Sequence, residues 1–352
     1  MKQINYLDYS LSKTDTNVVK GIAICAMLWH HLFYLTSEYG ELVHVLGLMG
    51  KVCVSLFLFV SAYGLTIQYT TNTENDGFLH LIKFSIKFLL KRFVKFYANY
   101  WVIFVLCVPI GILLGRSFTD AYGSNLIKCF ILDIFGMQGY SSYNITWWFN
   151  KLIILLYICF PFLYQLTRKW YVVIPTILFL LLWTKFPIFK IYDMNIFTFH
   201  FVLGIVVAIN IDKISYILNK FDVRLVLISS LILCILCLVN RQYAFVPYIT
   251  GVRMDAFLSP IIALLVVCIN HLLNSNIVSI CFTFLGKHSM NIYMVHTFIF
   301  YYFFNDFIYG FKYPIIIFAV LLLLSLVLSI AIEFVKNKLG FYKAIKYLTS
   351  KL

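Results

Sequence analysis

The amino-acid sequence predicts an all-α, polytopic membrane protein with about ten transmembrane helices and both termini in the cytoplasm. Three observations carry that reading. The 352 residues are 62% hydrophobic and only 12% charged, against about 25% charged in a soluble domain. The apolar residues gather in runs that approach or exceed the ~20 helical residues needed to cross a hydrocarbon core. Most of the 28 lysines and arginines fall in alternate connections, which is how short loops fix orientation. The formal charge of +14 therefore belongs to loop asymmetry. No nucleic-acid partner is expected, and the surface of the chain should face a lipid bilayer.

The spans read, in order, as 18–35, 46–69, 97–114, 147–165, 170–184, 196–210, 223–240, 254–273, 289–304 and 313–335. Several are short for an isolated lipid-facing helix and suit the inside of a bundle. With the N-terminus inside, the inner cations run from Lys2 and Lys13, through Lys83, Lys87, Lys91, Arg92 and Lys95, to Lys343, Lys346 and Lys351. Residues 1–17 are largely polar, and no small-residue cleavage site follows the first apolar run, so no cleavable signal peptide is expected. One membrane domain should occupy residues 1–352, with 336–352 as a basic cytoplasmic tail. The nine cysteines are scattered singly, which suggests neither a disulfide framework nor a zinc site.

Two stretches depart from simple spans. "LIKFSIKFLLKRFVKFYANYW", residues 81–101, places Lys83, Lys87, Lys91 and Lys95 four apart on one drifting helix face. That is a basic amphipathic helix on the inner membrane surface, running into the third span. "NLIKCFILDIFGMQ", residues 125–138, sits in the longest outer connection, 116–146. It is too short to cross and carries Lys128 and Asp133, so it reads as a surface or re-entrant helix.

The stretch richest in chemistry is "KGIAICAMLWHH", residues 20–31. Lys20 and His31 are eleven residues apart, three helical turns plus about 20°, so they share a face about 16 Å apart along the axis. His30 points about 100° away. Ionisable groups inside a membrane usually line a cavity or pathway. A cation at the inner end with an imidazole deeper in suits an elongated anionic cofactor meeting a base. The competing reading is a snorkelling lysine and histidines hydrogen-bonded within the bundle.

These residues resemble the first-helix signature of acyltransferase family 3, membrane enzymes that O-acylate surface glycans. That signature is Arg followed by Gly-Ile-Ala-Ile and, after ten residues, His. Lys20 stands in the Arg position, Asn17 where Asp is frequent, and His31 on the His. Four further stretches are similar to family elements in the family's order. They are "VSLFLFVSAYGL" (54–65, with Ala62 where Gly is common), "KRFVKFYANYW" (91–101), "WWFNKLIILLYICFP" (147–161) and "LGKHSMNIYMVH" (285–296).

The resemblance implies an enzyme that uses acetyl-CoA or a related acyl-CoA as donor and a glycan hydroxyl as acceptor, with no metal. Lys20, Arg92 and Lys95 are the expected contacts for coenzyme phosphates, since Arg and Lys suit such oxygens. His31 is the expected catalytic base; a histidine that carries the acyl group covalently across the membrane is the rival mechanism, and the sequence does not separate the two. His30, Ser61, Tyr63, Trp147, Trp148 and His296 are the expected acceptor-side residues. Ser55, Ser61 and Tyr63 lie along the second span and could orient His31, with core packing the favoured reading; an aromatic interfacial belt competes for the tryptophans, and a backbone carbonyl for His296. Lys51 and Lys151 should snorkel, and Glu333 should pair with a cytoplasmic lysine. The expected location is a cell membrane, the plasma membrane of a bacterium. A transporter or flippase for an anionic substrate is the alternative. It would use the same cations and histidines as a pathway, but the chain has no convincing internal repeat and no paired Gly/Pro-broken helices.

Overall fold

The structure, a computed structural model, describes residues 7–70, 78–186, 191–246, 249–273 and 277–352. Lys2, among the expected inner cations, lies outside these residues, as does 71–77 of the expected inner connection. No strand occurs among the described residues. In chain order the helices are α1 (Lys13–Phe33), α2 (Glu41–Met49), α3 (Val52–Thr70), α4 (Phe78–Leu113), α5 (Phe118–Tyr122), α6 (Leu126–Ile134), α7 (Trp148–Thr167) and α8 (Trp170–Lys185). There follow α9 (Met194–Ile209), α10 (Ile211–Leu218), α11 (Val223–Tyr243), α12 (Val252–Leu272), α13 (Ile277–Thr297), α14 (Asn305–Tyr309), α15 (Pro314–Lys338) and α16 (Phe341–Lys351).

Helix covers each of the ten expected spans. Among the described residues six segments are long and apolar enough to cross a membrane, or seven if α9 and α10, bent by 69° at their junction, count as one. The other three expected spans are helical but fall short of that measure, for visible reasons. Lys20, His30 and His31 interrupt α1; Lys287, His288 and His296 interrupt α13; and α8 has only 16 residues. The basic stretch 81–101 and the third span form one 36-residue helix, α4.

The chain packs as two compact units. The first comprises residues 1–34, 44–72 and 160–287. Its first helix starts at a reciprocal cap: the Ser12 hydroxyl accepts from Asp15 N–H, and the Asp15 carboxylate from Ser12 N–H. Such caps stabilise a helix start by ~1 kcal/mol. The other Asp15 oxygen takes the Asn270 amide at 2.7 Å, tying α1 to α12. The crossing of α1 and α13 is closer still. A Cβ at Gly286 would lie 1.9 Å from the Asn17 carbonyl oxygen, and one at Gly21 would lie 2.2 Å from that of Phe282. The glycines of the two motifs thus face each other's backbone, the small-residue packing on which membrane helices rely. Ala62 of α3 meets Gly204 of α9 in the same way.

The second unit comprises residues 35–43, 73–159 and 288–352. Its core holds Tyr100, Ile103, Phe104, Tyr143, Trp147, Met294 and Phe298. The connection 116–146 is folded around Asp133, which is fully buried. Its carboxylate accepts from Tyr143 N–H at 2.6 Å, the Tyr122 hydroxyl at 2.7 Å and the Tyr100 hydroxyl at 3.3 Å. Burial pushes this carboxyl up from the ordinary range, and those three donors pull it back. At the other end of the unit, the buried Lys336 Nζ donates to Asn99 Oδ1 at 3.0 Å, Asn291 Oδ1 at 2.9 Å and Glu333 Oε1 at 2.9 Å. Glu333 also accepts from Tyr342 of α16. The lysine that Glu333 pairs with is one turn along its own helix.

Two outcomes follow. Gly286→Ala drives a Cβ into backbone that no rotamer change can clear, so it should cost about 1–3 kcal/mol and lower the thermal midpoint of the purified protein. Cysteine labelling from outside intact cells should reach positions in 36–45 and 116–146 and fail in 78–95. Labelling of 78–95 from outside would reverse the orientation argued from the cations.

Candidate active site

Helix α1 runs unbroken from Lys13 to Phe33, so Lys20 and His31 share one face as the spacing requires. Both are half-buried, as is His30. His30 Nδ1 lies 2.7 Å from the carbonyl oxygen of Gly47. A carbonyl cannot donate, so Nδ1 carries the hydrogen and Nε2 is left with its lone pair. The His30 ring stacks on Tyr34, with centroids 4.5 Å apart and planes 28° apart, and lies 5.2 Å from the ring of His31.

The corner between α2 and α3 is pressed against this helix. A Cβ at Gly50 would meet the Ala26 carbonyl at 2.4 Å and the His30 Cβ at 3.0 Å. The same corner is held from behind by an ion pair that sequence reasoning missed. Arg241 Nε donates to Asp255 Oδ1 at 2.6 Å, with the two side chains 7% and 1% exposed. Arg241 Nη2 donates to Asp255 Oδ2 at 3.3 Å and also to the Leu48 carbonyl at 3.0 Å.

Asp255 also anchors a third histidine that was missed. Its carbonyl accepts from the Ser55 hydroxyl at 2.7 Å. With that hydrogen committed, Ser55 Oγ accepts from His200 Nδ1 at 2.7 Å and from Ser259 Oγ at 2.8 Å. Ser55 therefore orients His200, not His31. His200 is 1% exposed, and its Nε2 has no hydrogen-bond partner among the described residues. The signal that points to all three residues was available: isolated ionisable groups in or beside apolar spans are conspicuous. Their partners were not legible, because they lie 14 and 145 residues away in sequence.

Of the other expected acceptor-side residues, Ser61 and Tyr63 lie on α3 in the first unit. Ser61 is half-buried, and the Tyr63 hydroxyl accepts from Leu11 N–H at 3.2 Å. Tyr63 also helps line an apolar cavity of about 180 Å³ with Leu11, Phe59, Ile211 and Leu264. Trp147, Trp148 and His296 lie in the second unit. Trp147 is fully buried, and its indole N–H donates to the Met294 carbonyl at 3.1 Å. Trp148 is half-buried and stacks on the exposed ring of Tyr140, with centroids 5.3 Å apart. His296 is fully buried with Nδ1 on the carbonyls of Tyr293, at 2.9 Å, and Ile292, at 3.1 Å. Among the expected coenzyme contacts, Arg92 is half-buried over the ring of Phe88 and Lys95 is exposed, one turn apart on α4. Among the described residues no three His, Cys, Asp or Glu side chains converge as a metal site requires.

Several helices able to cross a membrane, with histidines and a buried ion pair between them, define a multi-pass membrane protein whose polar groups are gathered for a purpose other than solubility. The chain belongs to acyltransferase family 3. The family's acyltransferase-domain model matches residues 14–334, nearly the whole chain. The protein is a membrane acyltransferase. No curated protein and no solved structure matches it.

The two adjacent tryptophans separate by stability. Trp147→Phe removes the indole hydrogen bond to the Met294 carbonyl, which keeps that of Asn144 Nδ2, and leaves a gap in the core; it should cost about 1–3 kcal/mol, visible as a lower thermal midpoint. Trp148→Ala should shift that midpoint less, because the ring is half-buried and the core does not close on it.

Proposed function

We propose that this acyltransferase takes an acetyl group from acetyl-CoA in the cytoplasm and transfers it to a hydroxyl of a cell-surface or precursor polysaccharide. The observation that carries the reading is the unbroken helix that holds Lys20 and His31 on one face, at the family's spacing, inside a chain matched by the family model over residues 14–334. His31 accepts the proton of the acceptor hydroxyl as its oxygen attacks the thioester carbonyl. The tetrahedral adduct collapses, the coenzyme thiolate leaves, and the imidazolium returns the proton to it. An imidazole titrates near neutrality and suits both halves of that cycle. Acyl transfer from a thioester needs a base and donors for the oxyanion.

On the donor side, Arg92 and Lys95 take coenzyme phosphates from α4, and Lys20 supplies a further cation. Lys in the family's Arg position gives a point charge in place of a bidentate fork. On the acceptor side, Trp148 with Tyr140 offers an aromatic surface of the kind on which sugar rings stack. His30 and Ser61 supply polar atoms for hydroxyl groups, whereas Tyr63 and His296 are buried with hydrogen bonds to their own neighbours and serve packing; Trp147 supports the ring beside it.

The test of the whole reading is mass spectrometry of surface polysaccharide from cells that carry the wild-type protein or His31→Ala. O-acetylation should be lost in the variant while the protein still reaches the membrane. Retained acetylation would remove His31 from the chemistry. For the donor, Arg92→Ala and Lys95→Ala should each weaken acetyl-CoA binding about tenfold to a hundredfold, the worth of one charge-assisted contact. Lys83→Ala should change little, Lys20→Arg should be tolerated, and Lys20→Glu should abolish binding. Calorimetry on purified protein decides this. Equal small losses at 83, 92 and 95 would mean a diffuse basic surface and a donor site elsewhere.

A further inference from the structure

A charged pair buried between apolar helices is costly to desolvate and is weak evidence for stability alone. Arg241 and Asp255 are such a pair, and their contacts do not close on themselves. The guanidinium Nη2 that donates to Asp255 Oδ2 also donates to the Leu48 carbonyl at 3.0 Å. The preceding residue, Gly47, presents its carbonyl to His30 Nδ1 at 2.7 Å. A continuous polar path therefore runs from the Asp255 carboxylate through Arg241 and the last turn of α2 to one imidazole of the α1 pair.

That path has a chemical consequence. A neutral imidazole exchanges its proton between two nitrogens unless a partner holds it on one. The Gly47 carbonyl holds it on Nδ1. His30 Nε2 is then a fixed lone pair, and it makes no hydrogen bond to the described residues. Unlike His200, which is 1% exposed, His30 is only half-buried.

We propose that Arg241 and Asp255 are positioning residues of the acyl-transfer site: by holding the Gly47–Leu48 turn they lock His30 as the Nδ1–H tautomer, with Nε2 presented to accept a hydrogen bond from a hydroxyl of the acceptor sugar. The ring of His31 stands 5.2 Å away, so the lock fixes the surface beside the base as well. The role assigned to the acceptor rests on the acyl-transfer reading above. The lock itself does not.

Two measurements test this. The first needs no substrate: nitrogen NMR of purified protein labelled at histidine, with the His30 signal assigned by its loss in His30→Gln. The wild type should show His30 wholly as the Nδ1–H tautomer. Asp255→Asn keeps the shape and removes the charge, and Arg241→Lys keeps the charge and removes the fork that reaches Leu48. Both should turn that signal into a mixture of tautomers. The second measurement is the O-acetyl content of the surface polysaccharide. It should fall about tenfold in Asp255→Asn, Arg241→Lys and His30→Asn, the loss of roughly one hydrogen bond to the acceptor. Asparagine at position 30 reproduces the Nδ1–H donor and lacks Nε2. Acetyl-CoA binding should be unchanged in all three, and the double variant His30→Asn/Asp255→Asn should be no worse than His30→Asn, because both act through one nitrogen. A His30 tautomer unmoved in both ion-pair variants, or full acetylation in His30→Asn, overturns the proposal. Penalties that add in the double variant overturn it too. A tautomer that shifts as expected in cells whose polysaccharide is never acetylated would leave the lock standing and remove the proposed function.

Discussion

A polar group between apolar helices must find its partner within reach, because neither lipid nor water is there to replace it. Much of this structure follows from that constraint. Apolar helices alone are poorly specified against one another, since one leucine surface packs on another in many registers. Here three buried charged groups remove the ambiguity. Asp255 holds α11 and the α2–α3 corner through Arg241 and holds α3 and α9 through Ser55 and His200. Lys336 gathers α4, α13 and α15. Asp133 closes the connection 116–146 on three tyrosines. Each is satisfied by several hydrogen bonds, which is the condition for tolerating a buried charge. Removal of one partner from a buried ion pair typically costs about 3–5 kcal/mol, so each knot fixes register as well as adding contacts.

The fold class was legible in composition and in the lengths of the apolar runs. The number of crossings was harder to read, and the reason is instructive. The helices that fall short on apolarity include α1 and α13, which carry Lys20, His30, His31, Lys287, His288 and His296. A hydropathy threshold penalises the very residues that make a membrane helix chemically useful. The spacing of Lys20 and His31 was legible because it is local and obeys the helical period. Arg241 and Asp255 were visible as charges beside apolar runs, but nothing local says that they meet. Trp147 and Trp148 show the same limit at the scale of one residue. They are adjacent and identical in type, yet one is sealed in the core and the other stacks on an exposed tyrosine. Only the helix's facing decides which.

The motif glycines take on a physical meaning once the helices are placed. In "KGIAI" and "LGKHS" a glycine stands beside a lysine, and a reader of the sequence is drawn to the charge. The backbone approach at Gly21 and Gly286 makes the glycines equally demanding, since any side chain there would collide with a carbonyl that cannot move aside. Lys20 follows from this arrangement. It sits next to the residue at which α1 is clamped to its neighbour, so its Cα has little freedom even though its side chain is long. At Ala62 the space for the side chain comes from the opposite helix at Gly204.

Both ends of α1 are therefore held by backbone rather than by interdigitated side chains. Near Lys20 the contact is glycine against carbonyl; at His30 it is an imidazole N–H on the Gly47 carbonyl, with Gly50 packed beside it. Side-chain packing can relax by changing rotamers, whereas contacts of this kind cannot. The separation of Lys20 and His31 is then set by the rise of the helix, about 16 Å over eleven residues, and it is insensitive to the repacking of nearby leucines. The proposed pairing of a donor cation at Lys20 with a base at His31 would then have its spacing set by the helix itself, with no adjustment from the side chains around it.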